Sequence, residues 1–337
     1  MKDGRTCGAS DYRTRVLKSN PAYERKRAEI EQQTSSFVEA ARKKRDVGLI
    51  EPSVVKIIWV AVHILYNRHD PTSLITDEQV HSQIDALNRD YRMKNADVLK
   101  TPWPYKELAS DACIEFRLAP INPWGHATKG ITCTETKLKH FWDNNDMKHG
   151  SLNKPETGGW DAWDTTRYLN FWVCPNILTK DNGWFGSPKQ VMGAGTFPGE
   201  PNPADDGVAI IHTAFGTTGT AKAPFNLGRT AVHEVGHWLN LEHLWGSSET
   251  GSDDFVDDTP PQKNPNFGKP EGSILTYDSG PGGEMYMNYM DYVHDEAMFM
   301  FTAGQVQRMH ATLAGPRAGV VHETTYRNVP PGGVVGT

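Results

Sequence analysis

The chemistry in this 337-residue chain is concentrated in Thr230-Ala-Val-His-Glu-Val-Gly-His-Trp-Leu-Asn-Leu-Glu-His243. On a helix, His233 and His237 lie four residues apart and project from one face, so both imidazoles can hold the same metal ion. Glu234, between them, is placed to act as general base toward a water activated by that ion, and the arrangement is half of a zinc site. A third ligand is still needed. His243 supplies it only if the chain reverses, because ten helical residues would carry it about 15 Å along the axis from His233. Asn240 is the point of reversal, since Asn is among the non-glycine residues that tolerate the left-handed conformation ending a helix. His-Glu-x-x-His alone also occurs by chance in long helices; the third histidine at this distance sets the stretch apart. Downstream, Met290 stands between aromatics in Asn288-Tyr-Met-Asp-Tyr292. A lone Met there serves core packing, and it also suits a soft floor beneath three histidines.

These residues need a scaffold, and the sequence sketches one. Val54 to Tyr66 is strongly β-branched and reads as a strand, with His63 as a packed member of it. Thr76-Asp-Glu-Gln79 is a capping box, Ile75 and Val80 form its hydrophobic staple, and the helix that follows buries Val80, Ile84, Leu87 and Tyr91. Further strands are expected near Ile114 to Leu118, Gly130 to Glu135 and Tyr168 to Cys174. The glycines and proline of Val191 to Gly199 suit an edge strand, whose open backbone accepts an extended peptide; Gly193, Ala194 and Gly195 are its substrate-binding centre. Residues 1 to 20 read as irregular and polar. A helix then opens at Pro21 and runs to Arg45 with Ile30, Phe37 and Ala41 on one thin face, so it must dock on something. A last helix contains Gly304 to Met309, and Pro330-Pro-Gly-Gly333 is a loose tail.

Charge divides the chain. Residues 1–50 carry 12 Lys/Arg against 7 Asp/Glu, and the remainder 23 against 34. A basic leader therefore precedes an acidic body, which suits a leader lying over an acidic cleft and makes nucleic acid a poor partner for the body. The longest apolar run, around Ile57 to Val62, is strand-sized and does not span a membrane. Met1-Lys-Asp-Gly-Arg leads into polar sequence rather than a signal segment. Cys113 and Cys133 flank two expected strands and are either cross-linked or two buried thiols.

Three runs, Gly228 to Gly246, Met287 to Tyr292 and Met298 to Met309, resemble the pappalysin family of metzincins, in its ulilysin-like bacterial branch. The resemblance continues through Tyr168 to Cys174, Asp205 to Gly216 and Arg5-Thr-Cys-Gly8, and so covers nearly the whole chain. It implies an α/β (α+β) fold: a metzincin-type catalytic domain with a mixed twisted sheet, active-site helix and Met-turn over residues 51–320, its upper part ending near 243. A partly helical propeptide, 1–50, precedes it and a tail, 321–337, follows.

The resemblance also implies a secreted zinc-dependent metalloendopeptidase made as a latent zymogen, with the signal segment already removed. Its partners are protein or peptide substrates and its own propeptide. One catalytic Zn2+ is held by His233, His237 and His243, with Glu234 as base and Tyr292 hydrogen-bonding the tetrahedral intermediate. Cys7 matches a cysteine switch whose thiolate takes zinc's fourth position. Asp295 falls on the segment that selects Arg or Lys just after the scissile bond, and Arg42-Lys-Lys-Arg45 is then a site for removal of the leader by the enzyme itself. Asp253, Asp254, Asp257, Asp258 and Thr259 pack enough oxygens into one turn to bind structural Ca2+. The chain departs from the family pattern in having Asn240 where Gly is usual and no Cys after Cys174, where two disulfides are usual. The rival classes are a deacetylase-like zinc hydrolase of another amide and a non-catalytic metzincin-like binding protein; retention of Glu234 argues against the second.

Overall fold

The computed structural model describes residues 4–46, 54–142, 152–179, 189–247, 253–276, 279–280 and 282–323. Its elements begin with α1 (Ala9–Ser19), α2 (Pro21–Asp46), β1 (Lys56–Asn67), α3 (Asp77–Tyr91), β2 (Ile114–Leu118), β3 (Ile131–Thr136), β4 (Phe141–Trp142) and β5 (Leu169–Cys174). They continue with β6 (Ile177–Thr179), β7 (Lys189–Val191), β8 (Gly193–Gly195), β9 (Val208–Ile211), α4 (Arg229–Trp238), β10 (Phe267–Gly268), β11 (Tyr292–Val293), α5 (Ala303–Ala314) and β12 (Val321–Glu323).

A seven-stranded mixed sheet organises the body, in the order β12-β1-β5-β9-β8, with β2 and β3 also pairing with β1. The contacts of β1 with β2, β3 and β5, and of β5 with β9, are parallel, while β8 and β12 run antiparallel to their neighbours. Parallel strands are buried on both faces, which explains why β1 reads as a near-continuous apolar run and why all six residues of β5 are buried. His63 is a satisfied member of β1, bonded to Thr132 Oγ1 and Asn170 Oδ1, both at 2.9 Å. α3 begins where its cap predicts, with Thr76 Oγ1 accepting from Gln79 N, and buries Val80, Ile84, Leu87 and Tyr91. Those side chains join residues of β1, β5, β9, α4 and α5 in one core.

Several expectations need correction. Ala9–Ser19 is helical, not irregular. Its sequence lacks an apolar stripe because a cation makes much of the contact: Ala9 and Arg13 are buried, Arg13 pairs with Glu242, and its guanidinium lies 4.1 Å from the Phe197 ring centre. Among the described side chains of α2 the buried ones are Tyr23, Ile30 and Thr34, whereas Phe37 is exposed, so the contact face does not follow the predicted stripe. The Val191-to-Gly199 run is divided: Val191 ends β7 in a separate three-stranded sheet, and only Gly193–Gly195 forms the main-sheet edge. Cys113 and Cys133 are not cross-linked, the first buried and the second exposed. The boundary drawn at 320 cuts off β12, which pairs with Lys56 to Ile58 of β1 and belongs to the sheet.

Candidate metal centre and active site

α4 is buried along its whole length, so its position is fixed by what surrounds it. Its N-cap, Gly228, is left-handed at φ 78°. Arg229 then anchors the first turn: its guanidinium bonds Asp90 at 3.2 Å, both oxygens of Asp97 at 2.6 and 2.9 Å, and the Asp295 carbonyl at 2.7 Å. At the other end Asn240 has φ 70°. Leu241 N bonds Gly236 O and Asn240 N bonds His237 O, each at 2.9 Å, which is the Schellman pattern with Asn in the left-handed position. The reversal inferred from the spacing of His243 is therefore present at Asn240. Met290 packs directly under the helix: a Cβ on Gly236 would meet the Met290 sulfur at 2.5 Å, so only Gly admits the Met-turn this close.

The reversal brings three Nε2 atoms together. His233 to His243 is 3.2 Å, His237 to His233 3.2 Å and His237 to His243 3.1 Å. Three nitrogens bound tetrahedrally to one zinc stand about 3.3 Å apart. Each opposite ring nitrogen has its own partner: His233 Nδ1 meets Tyr289 O at 2.7 Å, His237 Nδ1 meets Leu241 O at 2.8 Å, and His243 Nδ1 meets Ser10 Oγ at 3.2 Å. Two carbonyl partners require protonated Nδ1 and so leave Nε2 as a lone pair facing other lone pairs, an arrangement that a cation resolves. Burial, then neighbouring positive groups, hold His233 and His243 well below the usual imidazole range; burial lowers His237 to about 4, so all three are neutral, the ligand form. Cys7 Sγ completes the set, with all four ligand atoms within 4.8 Å of one another. The residues fit zinc.

Two acids border this nest. Glu234 is fully buried; its Oε2 accepts from Cys7 Sγ at 3.3 Å, its Oε1 has no partner, and burial pushes its carboxyl up to about 8. Burial first, and Glu234 second, push the Cys7 thiol well above its ordinary value. Tyr292 packs against His243 at 4.9 Å and His233 at 5.7 Å between ring centres. Its phenol is pushed up by burial, then by Cys7 and Glu234, with a backbone hydrogen bond from Cys7 opposing.

The edge strand lies directly on the helix. A Cβ on Gly195 would fall 2.2 Å from the Glu234 carbonyl oxygen, so its glycine is required by backbone approach. The outer side of the same edge is occupied by the leader: Gly8 N bonds Gly193 O at 2.9 Å and Met192 N bonds Thr6 O at 2.8 Å, in parallel register at Cys7. Ala194 packs beside Gly8. Two residues before Cys7, Arg5 is fully buried, with Nη2 at 2.5 Å from Asp295 Oδ1, Nη1 at 2.7 Å from Thr230 Oγ1, and its guanidinium over Phe225. Asp295 Oδ2 is held independently by Leu227 N at 2.7 Å.

The sequence of the family described as pregnancy-associated plasma protein-A, peptidase M43, matches residues 158–314. An extracellular metalloprotease of Verticillium alfalfae is 42% identical over 247 residues, 72% of this chain and 70% of that protein. Extracellular metalloprotease 1 of Coccidioides posadasii is 42% identical over 124 residues, and there the chain spans less than half of the relative, 43%. Among solved structures, a promirolysin variant of Tannerella forsythia is 35% identical with a TM-score of 0.77, covering 94% of this chain and 97% of that one. Mature mirolysin in complex with a cleaved peptide is 40% identical with a TM-score of 0.71, covering 80% of this chain and 96% of that one. The chain belongs to the pappalysin family of metalloproteases. Its fold is that of a metzincin with a propeptide, and the stretch of this pappalysin that promirolysin covers beyond mature mirolysin is of the leader's size.

Other residues of this pappalysin stand as follows. Among the described residues, Cys7 with the three histidines is the one group of His, Cys, Asp or Glu arranged to hold a metal. The acidic loop instead bonds within itself and to α5: Asp253 Oδ1 accepts from Phe255 N, Asp254 Oδ2 from Thr259 Oγ1, and Asp258 Oδ2 from Gly304 N. Arg42 to Arg45 lie at the end of α2, and the Val47 to Leu49 run that follows is outside the described residues. Sequence reasoning assigned no role to Arg5, Arg13, Glu242 or Trp245. Trp245 stacks on His243 with 4.5 Å between ring centres and 9° between planes. The signal for Arg5 was its place two residues before Cys7; Trp245 carried none beyond proximity to His243.

Proposed function

We propose that this chain is the latent precursor of a secreted zinc endopeptidase that cuts before Arg or Lys. The observation that carries the reading is Arg5 on Asp295 beside Cys7 at the nest: one leader segment supplies the nest's fourth ligand atom and fills a cation-binding pocket together. Zinc bound there supplies Lewis-acid polarisation of a carbonyl and a water of lowered pKa. Glu234, aimed at the nest and without a partner on Oε1, takes the water's proton and passes it to the leaving amine. Tyr292 donates its hydroxyl to the oxyanion that develops at the carbonyl. With the leader gone, Asp295 Oδ1 is free while Oδ2 stays anchored by Leu227, so a substrate guanidinium or ammonium takes the place of Arg5.

Direction explains why the leader is not itself cut. Arg5 precedes Cys7, whereas a substrate presents its cationic side chain after the bond at the metal. The leader therefore runs opposite to a substrate along β8, in keeping with its parallel register at Gly193. Activation then requires cleavage elsewhere, and Arg42-Lys-Lys-Arg45 at the end of α2 offers the basic residues such a pocket selects.

The acidic loop Asp253, Asp254, Asp257, Asp258 and Thr259 is proposed to take Ca2+. Asp258 Oδ1 is buried without a partner and burial pushes Asp254 up to about 7, two costs that a cation would offset. An unchanged Tm on adding calcium to chelator-treated protein would remove that part of the proposal. For the whole, casein or a quenched peptide should be hydrolysed after leader removal, with activity lost to a zinc chelator and restored by zinc. Hydrolysis of acetyl-lysine with no peptide cleavage would instead favour the deacetylase-like reading.

A further inference from the structure

A helix leaves its final carbonyls without intrahelical donors. In α4 the last helical bond and the Schellman turn account for Val235, Gly236 and His237, whose oxygens accept from Leu239, Leu241 and Asn240 respectively. The next three carbonyls, Trp238, Leu239 and Asn240, form the path by which the chain returns to His243. Each accepts a hydrogen bond from a side chain of the C-terminal segment: Arg317 Nε to Trp238 O at 2.7 Å, Thr312 Oγ1 to Leu239 O at 3.1 Å, and Arg308 Nη2 to Asn240 O at 3.3 Å. All three donors are buried.

We propose that Arg308, Thr312 and Arg317 are positioning residues for the metal centre, acting as a clamp on the turn that delivers His243. The inference rests on the metal-site reading above and concerns residues that do not touch the nest. The turn controls two ligands, not one. It carries His243 back, and its Leu241 carbonyl, the next along, accepts from His237 Nδ1 and so sets that ring's tautomer and orientation. A rotation of the peptides between residues 238 and 241 would therefore disturb both histidines, and the three side-chain donors oppose that rotation. Two of them are cations at a helix C-terminus, where the macrodipole favours positive charge.

The clamp's arms have different anchors. Arg317 bonds both oxygens of Asp206, at 2.5 and 2.7 Å, and lies 4.0 Å over Trp238; Asp206 also accepts from Thr196, just beyond β8. That arm ties the third-ligand turn to the substrate edge. Arg308 instead holds Glu31 of α2 through two bonds, at 2.7 and 2.9 Å. The Arg317 and Thr312 arms outlast the leader, while the Arg308 arm loses its partner on activation.

The test uses the full-length chain loaded with zinc or with cobalt(II). Thr312→Val removes one donor at nearly constant shape, Thr312→Ser keeps the hydroxyl, and Arg308→Gln removes the charged fork. Leu313→Ala is the control, since it opens the same helix's packing without touching a carbonyl of the turn. Zinc affinity is read by competition with a chelator and site geometry by the visible absorption of the cobalt form. Thr312→Val and Arg308→Gln should each weaken zinc binding about 10-fold and alter the cobalt spectrum, Thr312→Ser should restore both, and Leu313→Ala should lower Tm with neither change. Native affinity and spectrum in Thr312→Val and Arg308→Gln would overturn the clamp, as would equal changes in Leu313→Ala. If the unaltered chain takes up no zinc, the metal-site reading falls with it; uptake with silent variants overturns the clamp alone.

Discussion

His233 and His237 are oriented by backbone carbonyls, a left-handed turn and the packing of Met290, whereas the leader that covers them adds buried charged pairs to its backbone bonds at the sheet edge. Arg5 pairs with Asp295, Arg13 with Glu242 and Glu31 with Arg308, all across the same interface. The two kinds of contact behave differently when broken. Within the body, apolar packing and backbone bonds belong to the cooperative core and are lost only with it. An ion pair buried under a leader returns both charges to water when the leader departs, so its net worth is small, although removing one partner in place costs about 3–5 kcal/mol. The leader can thus be specific and removable, while the nest remains. His243 is the exception among the three histidines, since its Nδ1 partner is Ser10 of the leader.

The sharpest way to break this comparison is to damage the nest's chemistry while leaving its frame. Glu234→Ala should lower kcat for peptide hydrolysis at least 10²- to 10⁴-fold, with zinc content unchanged by metal analysis; residual activity near native would exclude Glu234 as base. Attacking the leader instead should release activity. Cys7→Ala removes the metal contact and Arg5→Ala leaves Asp295 buried without its cation, so both precursors should activate sooner, the second with a leader weakened by about 3–5 kcal/mol. Unchanged latency in a time course of leader loss would refute the contact concerned.

Asp295 stands on both sides of the comparison, being fixed by the body and occupied by the leader. Asp295→Asn should cut the preference for Arg or Lys after the scissile bond roughly 10- to 100-fold in a peptide-library profile, and an undiminished preference would place the selector elsewhere. The smallest effect concerns pH. Glu200 accepts from Tyr12 of α1 at 3.0 Å, and burial raises its carboxyl from 4.5 to about 7. An acid with a raised value binds more protons when docked, so leader docking is firmest below about 4.5 and weakens as pH rises to about 7, then levels. Leader loss should accelerate a few-fold between pH 5 and pH 8, and Glu200→Gln should flatten that rise; a profile identical to native would rule out Glu200.

The sequence by itself determined what local rules govern. Four-residue spacing put His233 and His237 on one face, the excess distance to His243 demanded a reversal at Asn240, and β-branched runs and a Thr76 cap marked β1 and α3, because these depend on neighbours along the chain. What escaped it depends on partners far away in sequence. α1 has no apolar stripe to announce it, since Glu242 and Phe197, more than 180 residues on, supply its dock. Phe37 matched a helical period yet faces solvent, because the shape of α5 decides which face of α2 is covered. Arg5 and Asp295, 290 residues apart, meet only where β8 and α4 converge. The caps of the third-ligand turn come from a helix whose own periodicity reports burial alone. Periodicity reveals which residues leave water; which charges meet inside is settled by the packing of elements that the chain joins last.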